Sequence, residues 1–276
     1  MKKWLILSLL LLYLMPLGAQ AEETPLSLIA LNVGKADCLL LQSGEDIYMI
    51  DTGTEQSYPK VASALQTLGV SHLTGVIITH TDKDHTGGLM QLAKSDLTID
   101  AWYAPAYFSG VKMKKHPANV AALERGEQVV WLAAGDTLPL ENAALTVLMP
   151  YEKEKKENCN SLVLLAEGGG GSMLLCGDME IPEEEALMKR MSLPQVDVLK
   201  VGNHGENDAS GDIFLYTVRP KVAVISTNSA EERDTPAPRI LKALKKINCQ
   251  IALTQHAPLG VKVILEHGEV TVEMVR

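Results

Sequence analysis

Cationic side chains are in short supply. The chain of 276 residues holds 25 Lys and Arg against 34 Asp and Glu, a formal net charge of −9. Non-specific nucleic-acid affinity rests on many cationic contacts to phosphate, so this chain is not a general nucleic-acid binder and no stable binding of duplex DNA is expected. The sign of the charge leaves room for a small phosphoester or a short single strand held locally. The compact basic clusters Lys112/Lys114/Lys115, Lys153/Lys155/Lys156 and Lys242/Lys245/Lys246 each read as a solvated helix or loop face. Cysteine is sparse as well: Cys38, Cys159, Cys176 and Cys249. Their separations match neither a zinc knuckle nor a small disulfide framework. Three of the four lie in or beside apolar strand-like runs, which predicts buried free thiols; an exported protein leaves a single disulfide open.

A membrane-spanning run is also lacking. The apolar stretch from Trp4 to Leu17 is interrupted by Ser8, Tyr13 and Pro16 and is shorter than the roughly 20 residues that a spanning helix needs. Lys2 and Lys3 precede it, and Ala19-Gln20-Ala21 follows as a small-x-small cleavage site. This order predicts a signal peptide over residues 1–21, a mature chain from Glu22, and a secreted or extracytoplasmic location. An uncleaved segment would be the sole membrane contact expected. No cysteine follows the apolar run, so a lipoprotein anchor is not indicated. Removal of Lys2 and Lys3 takes the net charge to −11.

What remains has the make-up of a globular protein, 46% apolar and 21% charged over the whole sequence, enough for a sizeable core. No interdomain linker divides it, and the charged run Glu152–Glu157 reads as a surface loop. One domain over residues 22–276 is expected.

Short apolar runs at Leu26–Val33, Cys38–Gln42 and Asp46–Ile50 read as consecutive strands of an antiparallel meander. Val61–Leu68 has helical spacing, Gly75–Ile78 is a buried strand, Gly88–Leu92 opens a helix, and Ile99–Tyr103 is another strand. Pro105–Asp136 has no clear pattern beyond a helix near Asn119–Arg125. Strands follow at Leu145–Met149, Ser161–Leu165 and Met173–Cys176, with a hairpin turn at Gly168–Gly171. Next comes a helix at Pro182–Met191, then strands at Val196–Val201, Val222–Ser226 and Ile251–Thr254 with helices near Ile213 and Ile240 between them. Val261–Leu265 and Val270–Met274 form a last strand pair. Strands first, then alternating β and α, and both again, predict two packed sheets with helices outside, an α/β (α+β) fold of four αββα layers. A doubly wound parallel sheet fits less well, because the early strands are too close together for helical crossovers.

The densest chemistry lies in His80-Thr81-Asp82-Lys83-Asp84-His85-Thr86-Gly87-Gly88. Four ligand-type side chains fall within six residues, between a buried strand and a helix. Imidazole with carboxylate suits zinc, manganese or iron rather than a metal that favours thiolate. Gly87 and Gly88 allow close backbone approach.

This segment resembles the metal motif of the metallo-β-lactamase superfamily, in the variant with Asp in place of the second His. Leu31–Asp37 with Ile50-Asp51-Thr52-Gly53, Asn158–Leu164, Cys176-Gly177-Asp178, Leu199–Gly205, Ala223–Asn228 and Thr235-Pro236 are similar, in the same order, to blocks of the ComEC/Rec2-like hydrolase domain of competence proteins. The resemblance implies two divalent metal ions, zinc or manganese. His80 and Asp82 would hold the first, Asp84, His85 and His204 the second, and Asp178 would bridge them. Asp51 would orient a ligand, against the alternative of a simple turn residue, and Asp37 stands between the same role and a turn cap. Asn158 or Asn160 occupies the stretch where related hydrolases carry a third His for the first metal; Asn203 stands where such chains carry a second adjacent His. Lys200 either reaches a phosphate oxygen or is a strand-end lysine in solvent. His116 and His256 fall outside the blocks and read as surface residues.

The chemistry implied is metal-assisted hydrolysis, with Asp178 holding the metals and Asp82 or Asp84 accepting the proton of the attacking water. The resemblance implies a phosphodiester, and the absence of the histidine trio of the first metal counts against a β-lactam. Two alternatives stay open: a hydrolase of another ester, lactone or amide, and a non-catalytic metal- or ligand-binding member of the fold serving an envelope or DNA-uptake assembly.

Overall fold

The computed structural model describes residues 24–106 and 111–276, so the expected signal segment 1–21 lies outside the described residues. Strands β1 (Leu26–Leu31), β2 (Leu39–Ser43) and β3 (Asp46–Ile50) form the antiparallel meander. Successive strand residues face opposite sides. Leu26, Leu28 and Ala30 therefore point into one apolar layer, while Ile29 and Leu31 point into another. Every residue of β1 is buried, as in a strand covered on both faces.

Pro59 sits in the first turn of α1 (Tyr58–Thr67), where its missing N–H is harmless. After α1 the chain turns parallel. It runs through β4 (His72–Leu73), β5 (Gly75–Ile77), α2 (Lys83–Thr86), α3 (Leu89–Ala93), β6 (Thr98–Ile99), β7 (Trp102–Pro105), α4 (Val111–Lys115), α5 (Pro117–Glu124) and β8 (Val129–Leu132). β5 lies parallel to β3, β7 to β5 and β8 to β7. The second half repeats the plan. β9 (Thr137–Leu140), β10 (Ala143–Met149), β11 (Val163–Gly168) and β12 (Gly171–Leu175) are antiparallel neighbours. β13 (Val198–Lys200), β14 (Val222–Ile225) and β15 (Gln250–Leu253) then add in parallel. Helices α6 (Ile181–Arg190), α7 (Asp212–Val218) and α8 (Pro238–Lys246) provide the crossovers. The hairpin β16 (Gly260–Glu266) and β17 (Glu269–Val275) returns to the first half, with β16 beside β1.

The result is an eight-stranded sheet in the order β17-β16-β1-β2-β3-β5-β7-β8 and a seven-stranded sheet in the order β15-β14-β13-β12-β11-β10-β9, with β4 and β6 as a separate pair. Leu28, Leu41 and Ile50 of the first sheet meet Val147, Leu164, Leu175 and Val224 of the second in the central layer. Val61, Leu65, Leu92 and Ala121 cover the first sheet from outside; Leu187, Phe214, Leu215 and Leu244 cover the second. This is the four-layer αββα sandwich.

Several expectations need correction. Ile99–Tyr103 is not one strand: it divides into β6 and β7, which join different sheets. The unpatterned stretch Pro105–Asp136 contains α4, α5 and β8, whose alternating exposure hid it. His116 is buried rather than on the surface. It precedes α5, where its Nδ1 accepts the Ala118 N–H at 3.2 Å, and its ring meets Trp131 edge-on at 5.4 Å. His256 is exposed as expected. All four cysteines are free, with Cys38, Cys176 and Cys249 buried. No helix among the described residues is long and apolar enough to cross a membrane.

Candidate metal centre

Five strands of the two sheets, β3, β5, β12, β13 and β14, deliver groups to one rim from their C-terminal ends: the side chains of Asp51, Thr79 and His80, Asp178 and His204, and the carbonyl of Ser226, respectively. Parallel pairing aligns those ends, β3 with β5 in one sheet and β12, β13 and β14 in the other. A bond from Leu162 N to Thr79 O, 3.0 Å, ties the rims together.

The turn after β5 is held against the 51–55 turn at van der Waals limits. A Cβ on Gly87 would come within 2.4 Å of Glu55 N, and one on Gly88 within 2.5 Å of Thr52 O. The glycines thus permit the close approach read from the sequence. Asp51, Asn203 and His204 have φ of 60°, 43° and 52°, a region that non-glycine residues rarely occupy and that gathers at functional sites.

Three imidazoles converge here, and each has its Nδ1 engaged. His85 Nδ1 lies 2.7 Å from Asp51 Oδ2. His204 Nδ1 lies 3.2 Å from the Ser226 carbonyl oxygen. His80 Nδ1 lies 3.1 Å from Thr79 Oγ1, whose own proton is given to Asp51 Oδ2 at 2.7 Å. The Ser226 carbonyl and the Asp51 carboxylate can only accept, so the neutral rings of His204 and His85 carry their proton on Nδ1 and turn Nε2 toward the centre; His80 Nδ1 meets the hydroxyls of Thr79 and Ser161, and its Nε2 faces the same way. The Nε2 atoms of His80, His85 and His204, with Asp178 Oδ1, are buried and have no hydrogen-bond partner.

Asp178 stands between them. Its Oδ1 is 3.3 Å from His85 Nε2 and 3.6 Å from His204 Nε2, while its Oδ2 is 3.7 Å from His80 Nε2. Asp82 Oδ2 lies 3.6 Å from His80 Nε2 on a side chain that is 45% exposed, and Asp84 Oδ2 lies 3.3 Å from His204 Nε2. Ligand atoms of Asp84, His85, Asp178 and His204 all fall within 4.8 Å of one another. The structure therefore gathers all six residues that the resemblance assigned to metal. Buried polar atoms without partners are rare, and divalent cations fit this donor set of imidazole nitrogens and carboxylate oxygens.

The charges follow the geometry. Burial disfavours the Asp178 carboxylate, yet His85, His204 and His80 hold its pKa well below the ordinary value. Burial likewise opposes a charged His85, but Asp178 and Asp51 raise its pKa well above the histidine norm. Asp84 is lowered against its own burial by His204, whose Nε2 lies 3.3 Å from its Oδ2, and by the charge of His85.

Other residues depart from expectation. Lys200 is neither in solvent nor free to meet a substrate: it is fully buried, with Nζ 2.8 Å from Asp37 Oδ2 and donating to Val201 O at 3.0 Å. Asp37 lies behind the centre, its Oδ1 3.9 Å from His204 Nδ1. The amides of Asn158 and Asn160 turn away from the ligands. Asn160 pins the preceding loop by accepting from Glu154 N at 2.8 Å and donating to Lys156 O at 3.0 Å; Asn158 donates to Glu180 at 3.0 Å. Asn203 donates to Asp208 at 3.2 Å, and its backbone N–H reaches Gly177 O at 3.1 Å, beside Asp178. Sequence reasoning missed Thr79 and Ser161. Ser161 Oγ lies 3.3 Å from His80 Nδ1 and accepts the Asp178 N–H at 3.1 Å. Their only signal is position, one beside His80 and the other after Asn160.

A family model described as the metallo-β-lactamase superfamily matches residues 31–229. This chain belongs to that superfamily. Among its relatives, ComE operon protein 3 of Bacillus subtilis is 31% identical over 187 residues, which is 67% of this chain and 24% of that protein. Recombination protein 2 of Haemophilus influenzae is 27% identical over 226 residues, 79% of this chain and 26% of the relative. The chain thus spans about a quarter of the length of the curated relatives it matches. Among solved structures, the metallo-β-lactamase fold protein YhfI of Bacillus subtilis superposes with a TM-score of 0.54 at 11% identity, covering 88% of this chain and 100% of that one. That likeness is one of fold.

Proposed function

We propose that this superfamily member is an exported hydrolase that uses two divalent metal ions, zinc or manganese, to cleave a phosphoester. The observation that carries this reading is Asp178, whose two oxygens separate toward His80 on one side and toward His85 and His204 on the other. Divalent cations bound there supply Lewis acidity to a substrate oxygen and to a water molecule.

The chain's own residues supply the rest. His80 and Asp82 form one ligand group, Asp84, His85 and His204 the other, and Asp178 joins them. Asp51 and Thr79 hold the rings of His85 and His80. Asp84, partly exposed at the rim with its Oδ2 3.3 Å from His204 Nε2, accepts a proton from the attacking water. Asp82, at the exposed edge, gives that proton a route to solvent.

The name of one relative, Recombination protein 2, supports a phosphodiester of nucleic-acid type. The net charge of −9 favours a small phosphoester or short single strand over duplex DNA. The basic-apolar-small order of residues 1–21 supports export. Because the amides of Asn158 and Asn160 are engaged elsewhere, the first ligand group is the thinner one. This favours, as a second reading, a metal-binding protein without turnover.

The test is hydrolysis of bis(p-nitrophenyl) phosphate by residues 22–276 with manganese and with zinc, beside a His80→Ala/Asp178→Ala variant. Metal-dependent turnover absent from the variant is the expected result. A folded, metal-loaded protein that leaves the ester intact with either ion overturns the phosphodiesterase reading in favour of another bond or of binding alone.

A further inference from the structure

Lys200, engaged by Asp37, is in no position to meet an anionic substrate. Lys35 is. It lies in the loop between β1 and β2, which rests on the metal-motif turn through the bond from Asp37 N to Asp84 O at 3.2 Å. Its Nζ pairs with Glu206, two residues beyond His204, and its side chain is 22% exposed. It also interacts electrostatically with Glu232 and with the ligand residue Asp84. Lys35 and Asp84 are both partly exposed, so the ammonium stands beside the centre with access to solvent. The exposed 231–232 turn overhangs the same loop: a Cβ on Gly34, whose φ is +92°, would lie 3.3 Å from Glu231 Oε2. On the other flank, Thr81 Oγ1 donates to Glu157 at 2.6 Å.

One ammonium thus stands among the carboxylates of Glu206, Glu232 and Asp84. A partly exposed ion pair of this kind contributes little to stability, so Lys35 can leave Glu206 for another anion at small cost. Lysine is a compact charge on a flexible stem, suited to following a phosphate oxygen. The glutamates around it have the opposite effect on any further phosphate, which they repel.

We propose that Lys35 is the substrate-positioning cation, exchanging Glu206 for a non-bridging oxygen of a phosphate group, and that Glu206, Glu231 and Glu232 restrict the substrate to one carrying a single phosphate rather than a polyanionic strand. This rests on the phosphoester reading above.

Manganese-loaded wild type, Lys35→Ala, Lys35→Arg and Glu206→Gln are compared by KM and kcat on bis(p-nitrophenyl) phosphate. Calorimetry measures binding of inorganic phosphate to the same proteins. Lys35→Ala is expected to raise KM and weaken phosphate binding by about 10-fold each, with kcat changed by less than about 3-fold. Lys35→Arg restores most of the loss, Glu206→Gln lowers KM, and Glu231→Gln/Glu232→Gln improves cleavage of a single-stranded oligonucleotide relative to the small ester. Turnover with an unchanged KM and unchanged phosphate affinity in Lys35→Ala overturns the role of Lys35 and leaves the phosphodiesterase reading standing. Phosphate binding that depends on Lys35 without turnover supports the positioning role and removes the catalytic reading. A wild type that neither turns over nor binds phosphate overturns both.

Discussion

Lys200 Nζ lies 2.8 Å from Asp37 Oδ2, and both side chains are shut off from solvent. Neither charge is tolerable there without the other, because removing one partner strands the second in a medium that solvates it poorly. Lys200→Met is therefore expected to destabilise the fold by about 3–5 kcal/mol. Asp37→Leu combined with Lys200→Met is expected to recover most of that loss. Urea denaturation measures both. A single Lys200→Met variant with wild-type stability but no activity would contradict the structural role and restore a contact with substrate.

Asp51 controls the centre through His85. The 2.7 Å contact to Nδ1 fixes the tautomer and the ring, and Thr79 fixes the carboxylate in turn through bonds of 2.8 and 2.7 Å. Outer partners of this kind tune affinity more than fold. Asp51→Asn is expected to weaken metal binding by about 10–100-fold, read by competition with a chelating dye, while its circular dichroism spectrum stays that of wild type. An unchanged affinity would make Asp51 a turn residue and no more.

Loading with zinc or manganese should raise the midpoint of thermal unfolding, because the converging Nε2 atoms of His80, His85 and His204 exist as a site only in the folded chain. At free metal about 100 times Kd the gain is about 2.7 kcal/mol, and a chelator should reverse it. Asp178→Ala should abolish most of the shift, since it removes the group shared by both ligand sets. A shift of equal size in that variant would place the ions elsewhere.

The pH dependence of stability contains a contribution from His116, far from the metal motif in sequence. Burial, with help from Lys153, lowers its pKa from 6.5 to about 4. Between those values the unfolded chain takes up a proton that the folded chain refuses. The stabilisation is complete above the unfolded pKa and is lost as pH falls through this window, by up to about 3 kcal/mol. His116→Asn keeps a capping acceptor for α5 and does not titrate, so its stability should change less between pH 6.5 and 4. Parallel profiles for the two proteins would exclude His116 as a source.

Much of the fold was legible because its signals are local. The meander β1–β3 follows from apolar runs too close together for a helical crossover, and α1, α6 and α8 from their spacing and the prolines at their starts. The metal motif was legible for the same reason: His80, Asp82, Asp84 and His85 share one turn after a buried strand. Asp178 and His204 carry no such signal, and only resemblance to a family assigned them. The failures are those of distance and context. Lys200 at the end of an apolar strand reads as reaching a phosphate oxygen or solvent until Asp37, 163 positions earlier, is found against it. Asn158 and Asn160 stand at the place of a ligand, and only the fold shows their amides bonded elsewhere, Asn158 to Glu180 and Asn160 to the 153–157 loop.

The sequence by itself therefore determined the strand and helix order outside the stretch from Ile99 to Leu140, the layered architecture and the chemical type of the centre, because periodicity, turn residues and ligand-type side chains act over a few neighbouring positions. The tertiary structure alone decided which nitrogen of each histidine faces the centre, how Asp178 divides its oxygens, and which lysine is buried against Asp37 and which is left partly exposed. Those outcomes depend on which groups lose water and which partners lie within about 3 Å, and residues far apart in the chain reach that distance only when the two sheets close on each other.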